Sequence, residues 1–337
     1  MRFASHNKVF WAFTFILSAI FIITYVIFSG CTESSASAYN TSLSDLGGVY
    51  ASMDSDLKLE IEISGRLSEG NTEYIVQKGK TKEAGIKIDE NAITGDANVN
   101  TLSNKLLRWG ISRRENNQTP AADPGAPQLL EKYGGAYLGD TSQKVIYLTF
   151  DEGYENGYTP LILDTLRDNH ARAVFFITGP YLKGQQELVR RMVEEGHLIG
   201  NHTIHHPSLP EVADSQLEEE VIGLERAFQE KFGQNMLFLR PPKGEYSERT
   251  LALTQNLGYC NLFWSFAYDD WYRDKIRGPE YALSIVMRNL HNGAVLLLHA
   301  VSKDNAEALD SIVKGALQKG YIIGDPQDLL PPEKAGD

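Results

Sequence analysis

Six short apolar runs mark the second part of the chain: Val145 to Phe150, Ala173 to Ile177, Leu198 to Gly200, Leu237 to Leu239, Leu262 to Trp264 and Ala294 to Leu298. None shows the strict polar alternation of a half-wet strand, so each predicts a strand buried on both faces. Between them the pattern shifts to a spacing of three and four. The clearest such stretch begins near Asp214, a candidate N-cap, and places Leu217, Val221, Leu224, Phe228 and Phe232 on one helical face. Another runs from Ser302 through Ala306, Leu309, Val313 and Leu317 to a stop at Gly320. Strand and helix in repeated alternation imply parallel strands, in a doubly wound sheet or a (β/α) barrel. No G-x-G-x-x-G follows the first strand, which argues against a dinucleotide site.

Upstream the texture is different. From Glu33 to about Gln128 the chain is rich in Ser, Asn, Gly, Asp and Glu, a composition that buries little apolar surface. Within it Leu57 to Ile63 alternates apolar and polar residues, and Tyr74 to Val76 and Ile86 to Ile88 read as further short strands, so a small β unit is expected beside linker. Arg2 and Lys8 precede an uncharged run from Val9 to Thr32, long enough to span a bilayer and oriented to send the rest of the chain outside the cytoplasm. Phe28-Ser29-Gly30-Cys31 also resembles a lipoprotein cleavage box, so a retained anchor and a lipidated Cys31 both stay open. Either one predicts an exported protein held at a membrane. The expected division is a leader over 1–32, a linker with a possible β unit over 33–128, a catalytic domain over 129–330 and a tail over 331–337.

A formal net charge of -12 provides no excess of cations to neutralise phosphates, so nucleic acid is not an expected partner. The two cysteines, Cys31 and Cys260, lie in the leader and in an apolar stretch, so no internal disulfide framework is expected.

The chemistry-bearing residues sit where predicted strands end. Asp151 and Glu152 follow the first strand directly. His202 and His206, four apart, would share one face of a helical turn and could grip one divalent ion. Arg240-Pro241-Pro242-Lys243-Gly244 follows a later strand, where the prolines stiffen a loop and the arginine can hold a carboxylate such as Asp151. Asp270-Trp271 and His299 end the set. Singly, each is compatible with a cap or an interior hydrogen bond. Asp, His, Arg, Asp and His at five strand ends are hard to explain by packing alone.

In order, Thr149-Phe150-Asp151-Glu152-Gly153, His202-Thr203-Ile204-His205-His206-Pro207, Arg240 to Gly244, Asp270-Trp271 and Leu297-Leu298-His299 resemble the five motifs of the polysaccharide deacetylases, carbohydrate esterase family 4. The run from Glu152 to Pro160, Arg249, and the run from His299 to Ala308 are similar to the sporulation branch that leads to muramic δ-lactam in spore-cortex peptidoglycan. The resemblance implies a distorted (β/α) barrel, Asp151 as general base, His299 as general acid, and a divalent metal on His202 and His206. Zinc is the first expectation, with cobalt or manganese as alternatives. It further implies Arg240 orienting Asp151, Asp270 supporting His299, and substrate contacts from Lys243, Gly244, Trp271 and Leu297. Glu152 stands where the family carries the third metal ligand, an Asp, and Ala267 stands where many members have an acidic residue. The expected substrate is N-acetylmuramic acid in a peptidoglycan glycan strand, acted on by a monomer. The alternatives are an N-acetylglucosamine deacetylase of peptidoglycan or a chitin-like chain, and a non-catalytic wall-binding module.

Overall fold

The computed structural model describes strand segments between residues 51 and 78, and residues 99–114 and 117–331. The chain divides into two units after Ala84. In the first, Ala51–Met53 pairs antiparallel with Leu57–Leu59, and Ile61–Ser68 with Asn71–Lys78. Of the alternating run from Leu57, Leu57–Leu59 and the residues from Ile61 lie on strand backbone, in two strands. The leader, the strand expected over Ile86 to Ile88 and most of the C-terminal tail fall outside the described residues. No helix among those described is long and apolar enough to cross a membrane.

The second unit holds the repeated strand–helix pattern. Helix α1 (Ala126–Lys132) precedes strand β1 (Val145–Glu152), then α2 (Thr159–Asp168), β2 (Ala173–Ile177), α3 (Gly179–Gly184), α4 (Gln186–Glu194), β3 (Leu198–Asn201) and α5 (Asp214–Phe232). Next come β4 (Phe238–Leu239), α6 (Glu248–Asn256), β5 (Cys260–Asn261), α7 (Pro279–Asn289), β6 (Ala294–His299), α8 (Lys303–Gln318) and β7 (Ile322–Ile323). All the strands are parallel in the order β5-β4-β3-β2-β1-β6, with β7 on the first residues of β1. Past β5 the chain curls round: Phe266 bridges Leu296 of β6, while Ala136 and Leu138 bridge Leu262 and Ala294. These three contacts draw the two edges of the sheet together into a distorted barrel.

Period-two alternation sorts β1 into two environments. Ile146, Leu148 and Phe150 pack outward against the helices, with Ile162, Leu166, Phe175 and Ile177. Val145 and Tyr147 face inward with Val174, Phe176, Phe238, Leu262 and Val295. Helix α5 begins at Asp214 with Ala213 as N-cap, and Asp214 pairs instead with Arg249. Helix α8 begins as expected, since the Ser302 hydroxyl accepts from the Asn305 N–H.

Of the stretch over 33–128, expected as linker with a possible β unit, the part from residue 99 is built into this unit. Leu107–Arg108 pairs with Glu245–Tyr246, and Ile111–Ser112 with Ala121–Ala122. Trp109 is buried, stacks on Phe263 at 4.7 Å and donates its indole N–H to the Trp264 carbonyl at 2.9 Å. A low apolar content hid this role, because one large aromatic side chain carries much of the contact.

Candidate active site

The inward face of β1 delivers Asp151 to the rim of the barrel, and β4 delivers Arg240 opposite it. Arg240 is fully buried, an expensive place for a cation unless every donor is matched. Its donors are matched: Nη1 to Asp151 Oδ1 at 2.6 Å, Nη2 to Thr149 Oγ1 at 2.9 Å, and Nε to the Leu262 carbonyl at 3.0 Å. The guanidinium also lies 4.0 Å over the Phe176 ring. Burial alone would push the Asp151 carboxyl upward, but Arg240, together with His202 and His299, more than offsets this and holds it below its usual value. Asp151 is thus ionised, with Oδ2 outside the Arg240 contact and 3.6 Å from His202 Nε2.

The two imidazoles meet, though not on a helical turn. Residues 202–206 form a loop in which Thr203 (φ 66°) and His206 (φ 59°) take left-handed backbone. Side chains hold that unfavourable geometry: Asn201 Oδ1 accepts from Thr203 N at 2.9 Å, and Thr203 Oγ1 from His206 N at 3.0 Å. Glu220 braces His205, accepting from its backbone N–H and meeting its Nδ1, both at 2.7 Å. His202 Nδ1 donates to the Arg240 carbonyl at 2.8 Å, which leaves its Nε2 lone pair free. That atom lies 3.1 Å from His206 Nε2. Burial lowers both imidazoles, His206 to about 4, so both are neutral at pH 7. Two neutral ring nitrogens converging on one point fit a divalent ion between them.

Glu152 does not join them. As the next residue on β1 it lies on the opposite face, in register with Ile177, and both carboxyl oxygens are buried without a hydrogen-bond partner. Burial pushes its carboxyl well above the ordinary range, with Glu155 and Asp151 acting in the same direction. The expected third metal ligand is therefore turned toward the helices, and among the described residues no three His, Cys, Asp or Glu side chains form a complete metal-holding group.

Strand β6 runs beside β1 with His299 in register with Asp151. Buried Asp270 receives His299 Nδ1 at 2.7 Å on one oxygen, and the His299 backbone N–H at 2.9 Å on the other. The second oxygen also accepts from Asn305 at 2.5 Å, and Asn305 reaches the His299 carbonyl at 3.2 Å. Burial works against a charged imidazole here, but Asp270, with Asp151 acting in the same direction, outweighs it and raises His299 above the usual value. Ala267 contributes no side-chain group to the arrangement, but its carbonyl accepts from Arg113.

The expected substrate contacts divide. Trp271 is exposed, with its ring 5.8 Å from that of His299. Lys243 is exposed on left-handed backbone (φ 60°) and close enough to His206 to disfavour its protonation. Gly244 is buried, its N–H bonded to the Pro241 carbonyl at 3.1 Å and its own carbonyl to Trp109 at 2.8 Å, so it shapes the loop rather than presenting a group. Leu297 is likewise buried, in register with Thr149 beneath the site. Thr149, Asn201, Thr203, Glu220 and Asn305, which orient the others, carried no mark of that role in the sequence. Thr149 and Thr203 at least lie inside the five motifs.

This set of strand-end residues on a curled parallel sheet is that of a polysaccharide deacetylase, and residues 138–262 match that family directly. The chain belongs to the family. It is 43% identical over 237 residues to the peptidoglycan-N-acetylmuramic acid deacetylase PdaA of Bacillus subtilis, covering 70% of this chain and 90% of that one. The solved structure of B. subtilis PdaA, a family 4 carbohydrate esterase, matches with a TM-score of 0.66 and 42% identity over 68% of this chain and 98% of that one. A peptidoglycan-N-acetylglucosamine deacetylase of Bacillus cereus is 33% identical over 194 residues, 56% of this chain and 89% of its own length.

Proposed function

We propose that the protein hydrolyses the N-acetyl group of N-acetylmuramic acid residues in peptidoglycan, outside the cytoplasm and tethered through its N-terminal leader, on the route to muramic δ-lactam. One observation carries the chemistry. Asp151 and His299 are register partners on adjacent strands, and their buried companions tune them in opposite senses: Arg240 favours the charged carboxylate while Asp270 favours the protonated imidazole. A base held toward its ionised form beside an acid held toward its protonated form is the pairing that hydrolysis of an amide requires. The named relative with 43% identity supports the muramic substrate.

His202 and His206 are the residues that would hold a divalent ion, zinc suiting two imidazoles. Such an ion supplies Lewis acidity at the acetyl carbonyl and lowers the pKa of a water. Asp151 Oδ2 takes a proton from the attacking water as its oxygen adds to the carbonyl carbon. His299, with Nδ1 tied to Asp270, gives its Nε2 proton to the amide nitrogen, the C–N bond breaks, and acetate leaves the free amine. Arg240 holds Asp151 Oδ1, so that only Oδ2 faces the water.

The test is to incubate the full chain, with each metal in turn, on peptide-free glycan of known sequence and to locate the lost acetyl by mass spectrometry. Loss from muramic residues is expected. Loss from glucosamine residues alone would replace the substrate, and no loss with intact binding would make the protein a wall-binding module.

A further inference from the structure

Among the described residues, seven large apolar side chains stand exposed, and four of them, Tyr154, Trp271, Tyr272 and Ile276, lie on the two loops that follow Asp151 and Asp270. The second loop is braced at its base. Asp269 pairs with Lys275 and, at 2.8 Å, with Arg277, whose backbone N–H donates to Asp304 at 2.7 Å. Two of its three cations are thereby neutralised. The third, Arg273, meets no carboxylate among the described residues: its guanidinium lies 5.4 Å over the Tyr154 ring and donates to Asn156 Oδ1 at 3.1 Å. Asn156 in turn donates to the Val301 carbonyl at 3.0 Å, two residues beyond His299. The arginine thus links the loop of the base to the loop beside the acid, next to Trp271 and Tyr272, whose rings are 5.2 Å apart.

We infer that Arg273 is a carboxylate-reading residue in a glycan subsite on the His299 side of the cleft, with Trp271 and Tyr272 as the stacking surface for a sugar ring. Exposed aromatic rings offer apolar area at low entropic cost. A guanidinium without a protein counter-ion has donors left for a bidentate carboxylate. In a peptidoglycan glycan strand the carboxylate that recurs on the sugars themselves is the lactyl group of muramic acid, and it is anionic only where no peptide is attached. The subsite therefore selects peptide-free muramic residues. This deepens the muramic reading and rests on it for the identity of the sugar.

The test uses binding, so that it does not depend on which acetyl is lost. The full chain carrying Asp151→Asn is titrated calorimetrically with peptide-free glycan, and with the same glycan whose lactyl carboxylates are capped as methylamides. Adding Arg273→Gln should weaken the free-acid glycan about three- to tenfold, as for a charge-assisted bond at a wet rim, and leave the capped one unchanged. Arg273→Lys should recover part of the loss. On active enzyme the same change should raise KM for the free-acid glycan with kcat retained. Equal weakening of both glycans makes Arg273 a mere loop brace, and no weakening of either removes it from the subsite; both overturn the proposal. Failure of the muramic reading shows separately, as acetyl loss from glucosamine alone by the otherwise unaltered enzyme.

Discussion

Asp270→Asn separates positioning from acid strength at His299. Asp270 is fully buried at its side chain, and one oxygen lies 2.7 Å from His299 Nδ1. A hydrogen bond to a charged group contributes about 1.5–3 kcal/mol, and one pKa unit corresponds to about 1.4 kcal/mol, so loss of the negative charge should lower the imidazole by roughly one to two units. The sign comes from the cycle: His299 must be protonated to release the amine, so activity is present below its pKa and falls as pH rises through it. The alkaline limb of kcat/KM should therefore move to lower pH by roughly one to two units, giving about a 10- to 100-fold deficit above the old limb and a much smaller one on the acid side. A second cost is structural. Asp270 accepts three donors on its two oxygens, His299 N and Asn305 Nδ2 on one and His299 Nδ1 on the other. An Asn amide has a single oxygen, so at least one donor then faces an NH2, costing about 1–3 kcal/mol of stability. The pH–rate profile and an NMR titration of the His299 ring measure the shift, and thermal unfolding measures the rest. An alkaline limb that stays in place while stability falls would show that Asp270 only holds the loop.

Asp151→Asn should reduce kcat by about 10² to 10⁴ while leaving the fold intact, because Asn still accepts from Arg240 but takes no proton; activity within tenfold of the parent would remove Asp151 as base. Glu152→Gln should leave divalent-ion affinity within about twofold, read calorimetrically on the full chain, since the side chain faces the helices; a clear loss would bring it back toward the imidazoles. Gly244→Ala should lower stability by about 1–2 kcal/mol from left-handed backbone alone, with a further cost because the new Cβ meets Trp264 at 2.7 Å. Unchanged thermal unfolding would refute that packing.

Much of the barrel was legible because strands buried on both faces announce themselves as apolar runs. Ala173 to Ile177 came out with the expected limits, and β1 and β6 ran only one or two residues further, into the polar residues that matter. The run from Leu262 was displaced, since regular pairing ends at Asn261 and the next residues instead bridge across the closing gap. The helical turn at His202 failed because a spacing of four says nothing about Thr203 and His206 adopting left-handed backbone, a conformation that depends on Asn201 and Glu220. Glu152 is a different case. The two-residue period of any strand places consecutive residues on opposite faces, so its separation from Asp151 was legible in the sequence once both were set on β1. Asn305 lay inside the run from His299 to Ala308 that carried the narrower resemblance, but its bracing role was not legible, because its partners lie 6 and 35 positions away.

The short pairing of Leu107–Arg108 with Glu245–Tyr246 has a kinetic side. The Arg108–Glu245 contact closes a loop of 137 residues, a separation at which local search gives no help. Trp109, brought in by that closure, covers Phe263, whose carbonyl receives Arg240 at 3.4 Å. The bed of the arginine that acts on Asp151 is thus finished by a segment whose anchoring contact spans 137 residues. Refolding followed through Trp109 fluorescence should report that docking, and hydrolytic competence should return with it rather than with the earlier growth of helix content.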